Sequence, residues 1–133
     1  MPTFQTEILH IAIERPWQDV YDFAHQPQTM QQWASGLADG LSRDGDEWLA
    51  DGGPLGTVRV SFAAPNSNGV IDHLVTLPSG DQVHNVLRVV PNGDGAEVLF
   101  MVTRQPGTTD DVFRADCEHV KGDLKTLKSI LER

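Results

Sequence analysis

Residues 69–107, GVIDHLVTLPSGDQVHNVLRVVPNGDGAEVLFMVTRQPG, decide the fold of this chain. Runs rich in β-branched residues alternate here with the turn sequences PSGD and PNGDG, which is typical of antiparallel strands joined by hairpins. Upstream, the turn sequences DGGPLG and PNSNG separate similar runs. The pattern predicts an antiparallel meander that covers residues 41–104.

One face of this predicted sheet is apolar. Successive side chains of a strand point to opposite faces, so apolar residues at every second position mark the face that packs on a core. Three positions on each of two strands follow this rule: Val58, Val60 and Phe62 on the first, and Val98, Phe100 and Val102 on the second.

The chain after the meander predicts one long amphipathic helix. Thr108 or Thr109 is expected as its N-cap, and two aspartates follow in the first turn, where they complement the helix dipole. Apolar residues then recur at intervals of three and four and form one seam: Phe113, Cys117, Val120, Leu124, Leu127 and Leu131. Gly122 either permits a close approach of this helix to the sheet or is simply tolerated.

The chain before the meander predicts a strand and two short helices. Residues 3–13 are rich in isoleucine and indicate an opening strand. Pro16 suits the first position of a helix over 16–25. A second short helix is expected from the spacing of Met30, Trp33, Ala34 and Leu37.

Composition limits the class of protein. The length of 133 residues suits a single domain over 1–133. A formal charge of −9 disfavours nucleic acid and anionic membranes as partners, because both need clustered Lys or Arg. Cys117 is the only cysteine, and no stretch is apolar enough to span a bilayer. We therefore expect a cytoplasmic protein without membrane insertion, with neither a signal peptide nor an intrachain disulfide.

The order of these elements resembles the helix-grip fold of the START-like (SRPBCC) superfamily, which includes Bet v 1-like proteins and polyketide cyclase/dehydrase-like domains. The segments IAIERPWQDVYDF and PLGTVRVSF, together with residues 69–107, carry the resemblance, which covers nearly the whole chain. It implies an α+β fold, in which a curved antiparallel sheet of six or seven strands wraps around a long C-terminal helix. It also implies a cavity between the two. A bent sheet and a straight helix cannot touch along their full length, which favours a cavity independently.

Two polar residues interrupt the apolar face. His73 shares its parity with Ile71 and Val75, and should point inward, where a neutral imidazole can orient a ligand or transfer a proton. Asn85 has the inward parity of the next strand. The two residues either face the cavity as a hydrogen-bonding pair or merely satisfy each other within the core.

Other candidate site residues are aromatic or cationic. Arg104 follows the inward positions of its strand, so it either meets an anionic group inside or extends into solvent at the strand end. Trp33 is expected at the lip of the cavity, or packed in the core. The parity of Trp48 cannot be fixed from sequence. The predicted ligand-binding set is Trp33, Phe62, His73, Asn85, Phe100, Arg104 and Phe113.

Three functions are compatible with this set. The first is binding of a small, largely hydrophobic ligand, either lipid-like or aromatic and polyketide-like. The second is a cyclase or dehydratase in which His73 is the acid/base, and the third is a protein-interaction module. Whether the chain is an enzyme stays open, as does the choice between monomer and homodimer. No metal or cofactor is predicted, and His10, His25, His84, His119 and Cys117 are assigned no role.

Overall fold

The computed structural model of the chain describes residues 2–37 and 40–133. Within these ranges, seven strands and three α-helices follow one another along the chain. In order, they are β1 (Thr6–Ile13), α1 (Trp17–Ala24), α2 (Pro27–Trp33), β2 (Leu41–Asp44), β3 (Glu47–Asp51), β4 (Thr57–Phe62), β5 (His73–Thr76), β6 (Gln82–Asn92), β7 (Gly95–Thr103) and α3 (Asp110–Leu131).

The strands form one antiparallel sheet in the order β1-β7-β6-β5-β4-β3-β2. The helices α1 and α2 carry the chain from β1 at one edge to β2 at the other, and the meander then returns strand by strand to pair β7 with β1. This is the predicted α+β helix-grip fold, with a sheet of seven strands against a long C-terminal helix.

The second helix is shorter than the sequence pattern predicts. It begins with Pro27 at its first position and ends at Trp33. The backbone of Ala34 is extended, and residues Ser35–Leu37 form a separate 3₁₀ turn. The apolar spacing that predicts a helix through Leu37 therefore comes from two elements, which both face the interior.

The last helix begins as predicted, with the side chain of Thr109 accepting a hydrogen bond from the backbone N–H of Val112. Five of the six seam residues are buried and Val120 is half-buried. No atom lies within 4 Å of the position a Cβ would take on the exposed Gly122, so the interpretation of this glycine as a close-approach site is wrong. Among the described residues, no helix has the length and apolar character needed to cross a membrane.

The core lies between the sheet and the three helices. Its centre is formed by the inner positions of β6 and β7 and by the seam of α3, including Leu87, Val98 and Leu127. A smaller cluster of Ala50, Val58 and Val60 fills the far end of the sheet. Strand β5 lies between the two clusters, and the space between the sheet and the helices is less completely filled there.

Asn66 organises the loop that leads into β5. Its side-chain oxygen accepts hydrogen bonds from the backbone N–H groups of Asn68 and Val70, and its amide nitrogen donates to the carbonyls of Ala64 and Val70. The backbone N–H of Asn66 donates to the Tyr21 hydroxyl at 2.9 Å. One side chain thus pairs four backbone groups of the loop, of which the two from Val70 are partly buried.

Gly69 lets the same loop press against β6. Its φ of +72° is in the left-handed region, and a Cβ there would lie 2.0 Å from the carbonyl oxygen of Val89. The Gly69 carbonyl accepts a hydrogen bond from the N–H of Val89 at 2.9 Å. This contact fixes where β5 begins, and therefore where His73 is presented.

Candidate functional site

A cavity of about 180 Å³ lies between the inner face of the sheet and α3. The helix α2 and the 3₁₀ turn that follows it provide the remaining wall. Most of the lining is apolar and consists of Met30, Ala34, Leu37, Val60, Val75, Leu87, Phe100, Val120 and Leu124. In the described part of the chain, five polar or partly polar side chains interrupt it: Trp33, His73, Asn85, His119 and Asp123.

The volume limits what could fit. An apolar cavity of roughly 150 Å³ engineered into another protein binds benzene, whereas sites for drug-sized molecules measure roughly 300–1,000 Å³. At about 180 Å³, the present cavity matches a molecule with one ring. A long acyl chain would not fit without displacing the walls.

His73 and Asn85 face each other across the β5–β6 pair, as the sequence predicts. The Nδ1 atom of His73 lies 3.0 Å from the carbonyl oxygen of Ile71. A carbonyl can only accept, so Nδ1 carries the proton of the neutral ring and Nε2 is left as an acceptor. The amide nitrogen of Asn85 donates to this Nε2 at 3.3 Å.

His73 is a neutral, packed residue. Burial lowers the pKa of its imidazole below the ordinary value, and the hydrogen bond to Ile71 offsets this shift only in part. The rings of Phe62 and Phe100 lie 5.5 and 6.2 Å from it, centroid to centroid. Phe62 packs against His73 and is not itself on the cavity wall, whereas Phe100 is.

Asn85 has hydrogen-bonding capacity that His73 does not use. One N–H of its amide is committed to His73, and within the described residues we find no partner for the second N–H or for the carbonyl oxygen. Because Asn85 lines the cavity, these two groups are available to a ligand. His73 fixes which way the amide is turned.

Trp33 is packed in the core, as one of its two predicted alternatives has it, and also lines the cavity, so it does not lie at the lip. Only 4% of the residue is exposed. Its indole N–H is shielded from solvent and has no hydrogen-bond partner among residues 2–37 and 40–133. A buried donor in this condition is uncommon and costs about 1–3 kcal/mol.

Arg104 and Phe113 do not reach the cavity, and their predicted place in it needs correction. The guanidinium of Arg104 donates to the carbonyl of Thr108 at 2.6 and 3.0 Å, and to Asp110 at 2.6 Å. Its Cζ lies 5.9 Å from the centre of the Phe113 ring. Since β7 ends at Thr103, strand parity no longer directs the side chain of Arg104, which turns to the start of α3.

Trp48 shares the inner face of the sheet but lies beyond the cavity. It pairs with Val60 across β3 and β4, and side chains of paired residues point to the same face. The guanidinium of Arg43 lies 5.8 Å from its ring. Trp48 therefore packs at the β2–β3 end and does not line the site.

A polar cluster that the sequence does not reveal joins the 3₁₀ turn to α3. Ser35 Oγ donates to Asp123 Oδ1 at 2.6 Å and lies 2.7 Å from His119 Nε2. Asp123 Oδ1 also accepts from the backbone N–H of Ser35 at 3.3 Å. His119 and Asp123 are four residues apart, on one side of α3, but nothing in the sequence points to Ser35 as their partner.

This cluster differs from a catalytic triad. In a triad, the carboxylate binds the histidine nitrogen that faces away from the serine. Here Asp123 binds the serine itself, and its nearest approach to His119 is 3.7 Å, to the same Nε2. Gly36 and His119 are the exposed members of the cavity lining, so the cluster lies where the cavity opens to solvent. We call this opening the mouth.

Neither a metal centre nor a reactive thiol emerges from the structure. Residues 2–37 and 40–133 contain no group of three or more His, Cys, Asp or Glu side chains that could hold a metal ion. Burial, together with a hydrogen bond to Glu7, raises the pKa of the Cys117 thiol to about 11. The thiol is therefore protonated at neutral pH and unsuited to act as a nucleophile.

Comparison of the structure with known structures reveals similar folds at low sequence identity. The chain is similar to protein MLL2253 from Mesorhizobium loti, with a TM-score of 0.74 and 14% identity over 97% of this chain and 98% of that one. It is also similar to Ara h 8.0201, with a TM-score of 0.67 and 12% identity over 96% and 97% of the two chains.

A third similar structure is DynU16, a protein of the dynemicin biosynthetic locus, with a TM-score of 0.69 and 14% identity. The match covers 96% of this chain but only 47% of DynU16, so the chain spans about half the length of that protein. No protein-family model and no curated protein sequence matches the chain.

Proposed function

We propose, since the chain has the helix-grip fold of Bet v 1-like and START-like proteins, that it binds a small, largely hydrophobic molecule between the sheet and α3. The observation that carries the proposal is the apolar cavity of about 180 Å³ at this place. Burying a single ring against such a wall is favourable at about 25 cal/mol per Å² of apolar surface. A ring-bearing molecule fits the space better than a lipid chain.

The charges around the cavity support an uncharged ligand. Among residues 2–37 and 40–133, the lining contains neither Lys nor Arg, and its one carboxylate is Asp123 at the mouth. The protein as a whole carries a formal charge of −9. An anion would meet no compensating group on the wall and would lose its hydration on entry.

The geometry of His73 favours binding over acid–base catalysis. A general base needs a free lone pair that faces the substrate. The single lone pair of this imidazole already accepts from Asn85, and its proton is donated to Ile71. His73 therefore serves better as the residue that orients Asn85 than as a catalyst.

The test is a pair of identical substitutions on α3. Val120→Phe places a ring in the cavity, whereas Val112→Phe places the same ring at an exposed position of the same helix. Binding of single-ring aromatic compounds would be followed by ligand-observed NMR and native mass spectrometry.

We expect millimolar or tighter binding to the wild type and to Val112→Phe, and loss of binding to Val120→Phe. Binding that survives Val120→Phe unchanged would place the ligand elsewhere and contradict the proposal.

A further inference from the structure

We propose that the ligand carries a neutral hydroxyl group, which donates a hydrogen bond to the side-chain oxygen of Asn85. The inference rests on the proposed function, because it names the chemistry of the molecule that fills the same cavity. It makes Asn85 a specificity-determining residue. Phenols and ring-bearing alcohols should bind, whereas molecules whose oxygen can only accept should bind more weakly.

The orientation of the Asn85 amide is fixed by its neighbour. His73 Nδ1 lies 3.0 Å from the carbonyl oxygen of Ile71, so Nδ1 carries the ring proton and Nε2 can only accept. The Asn85 group that lies 3.3 Å from Nε2 must therefore be the N–H, because an oxygen there would bring two acceptors together. The oxygen is consequently the end of the amide that His73 does not use.

The oxygen of Asn85 is also accessible. It has no hydrogen-bond partner among residues 2–37 and 40–133. In this part of the chain, the indole nitrogen of Trp33 is the one side-chain nitrogen or oxygen that is both unpartnered and fully shielded, so a group the size of water can reach Asn85 Oδ1. Asn85 lies on the inner face of β6, opposite His73, and lines the cavity, so the approach to its oxygen is from the cavity side.

The other polar groups of the described lining add no open donor to the second N–H of Asn85. The N–H of Trp33 is shielded, and both ring nitrogens of His73 are used. At the mouth, His119 Nε2 lies 2.7 Å from the hydroxyl oxygen of Ser35. A ligand therefore meets one open donor and one open acceptor on the same amide.

A hydroxyl matches this amide better than other neutral groups. A carbonyl or ether oxygen could accept from the second N–H of Asn85, but it would leave the Asn85 oxygen without a donor. A hydroxyl can donate to the oxygen and also accept from the N–H. A hydrocarbon would leave both open, and open polar groups in a closed cavity weaken binding.

A neutral amide also disfavours an ionised donor. An ammonium group would lose its hydration on entry and would need a carboxylate beside it. The carboxylate of the described lining belongs to Asp123 at the mouth, where its Oδ1 already accepts from the Ser35 hydroxyl at 2.6 Å. The hydroxyl is therefore the donor that suits the interior of the cavity.

The experiment compares phenol, toluene and benzaldehyde, which share one benzene ring. Phenol and toluene differ by a hydroxyl against a methyl group of similar size, whereas the oxygen of benzaldehyde can only accept. Each probe would be titrated into the wild type, Asn85→Leu, Asn85→Asp and the control Asn92→Leu, which changes an exposed asparagine of the same strand. NMR shift changes give the affinities, and the spectrum of each variant shows whether it is folded.

We expect phenol to bind the wild type and Asn92→Leu within about threefold of toluene or more tightly, and about fivefold or more tightly than benzaldehyde. In Asn85→Leu, phenol should bind about tenfold or more weakly than toluene, because its hydroxyl would enter the cavity without an acceptor. Asn85→Asp keeps an oxygen and removes the N–H. In that protein, phenol should again bind within about threefold of toluene or more tightly.

The outcomes separate this inference from the proposed function. If none of the three probes binds the wild type, the proposed function itself fails. If toluene binds the wild type and phenol binds about tenfold or more weakly, or if benzaldehyde binds as tightly as phenol, the cavity takes ligands but does not select a hydroxyl. This wild-type comparison tests the inference whether or not the variants fold.

The variants test which atom makes the contact. Weak phenol binding to folded Asn85→Asp would assign the contact to the amide N–H and overturn the role of the oxygen. Phenol that still binds Asn85→Leu as tightly as toluene would remove Asn85 from the contact and overturn the inference as well.

Discussion

His73 accepts a hydrogen bond from Asn85 across the β5–β6 pair, and the direction of this bond is set by the carbonyl of Ile71 on the other side of the ring. The imidazole is therefore held as one tautomer, and it holds the amide of Asn85 in one orientation. His73 therefore orients Asn85, and the contact that we propose with a ligand is made by the amide of Asn85.

Asn85→Asp should raise the pKa of His73. A carboxylate can only accept, so the ring nitrogen that now accepts from Asn85 must take up a proton to keep the contact, and the new negative charge favours the imidazolium. The measurement is an NMR titration of His73 in both proteins, with the exposed His84 as internal control. An unchanged His73 titration would contradict the tautomer assigned to it.

The stability of the protein should fall as the pH drops below about 6.5. The folded pKa of His73 is lowered, so the unfolded chain binds the proton first. The contribution of the neutral ring is complete above the unfolded pKa and is lost progressively as the pH falls toward the folded pKa. Urea unfolding of the wild type and of His73→Phe between pH 8 and pH 5 measures it.

The substituted protein should lose less stability over this range than the wild type, whereas the exposed variant His84→Gln should follow the wild type. Parallel curves for all three proteins would show that His73 titrates normally in the folded state. Asp72, whose pKa is lowered by its hydrogen bonds with Arg88, acts in a lower pH range and does not confuse the comparison.

The sequence predicts the fold well because its signals are local and periodic. Turn sequences and strand alternation give the meander, and the seam of α3 gives the long helix. Parity also places His73 and Asn85 on the same face, because alternate residues of one strand and paired residues of neighbouring strands point to the same side of a sheet. These features need no knowledge of distant contacts.

The parts of the site that the sequence does not reveal depend on where elements end and on which distant residues meet. Arg104 lies one residue past β7, beyond the reach of the parity rule. Ser35 and Asp123 are separated by 88 positions in sequence and meet only because the 3₁₀ turn lies against α3. The cavity is expected from the fold, but its volume and its lining depend on packing between distant residues.

Gly69→Ala should destabilise the protein by about 2 kcal/mol or more, because it combines a left-handed backbone with a clash against Val89. The matched change Gly122→Ala should stabilise it by about 1 kcal/mol, since Gly122 is a helix-interior glycine with free space where a Cβ would lie. Chemical denaturation measures both. If Gly69→Ala were neutral, the loop could not be pressed against β6 as described.

Arg104→Gln should lower stability by about 1–2 kcal/mol while ligand affinity stays unchanged. The guanidinium holds the Thr108 carbonyl before α3 and does not touch the cavity. Its contact with Asp110 adds little, because the side chain of Asp110 is 80% exposed. Denaturation and a ligand titration on the same sample separate the effect on stability from the effect on affinity. A large loss of affinity would show that Arg104 contributes to ligand binding and contradict its exclusion from the site.

Ser35→Ala should accelerate ligand entry and exit without changing affinity. The hydroxyl of Ser35 joins the 3₁₀ turn to Asp123 and His119 across the mouth, and the turn carries the lining residues Gly36 and Leu37. Loss of the Ser35 hydrogen bonds should lower the free-energy barriers to ligand entry and to ligand exit by the same amount, about 1 kcal/mol. Both rates should therefore rise about fivefold, and the Kd should stay within about twofold.

The measurement is stopped-flow tryptophan fluorescence, to which Trp33 of the cavity wall contributes, with Ser42→Ala on the exposed β2 strand as the control. If the ligand reaches the cavity by another route, the Ser35→Ala protein should have wild-type rates of ligand entry and exit. A change confined to the exit rate would mean that Ser35 contacts the ligand itself, and the cluster would then be part of the binding surface and not a closure of the mouth.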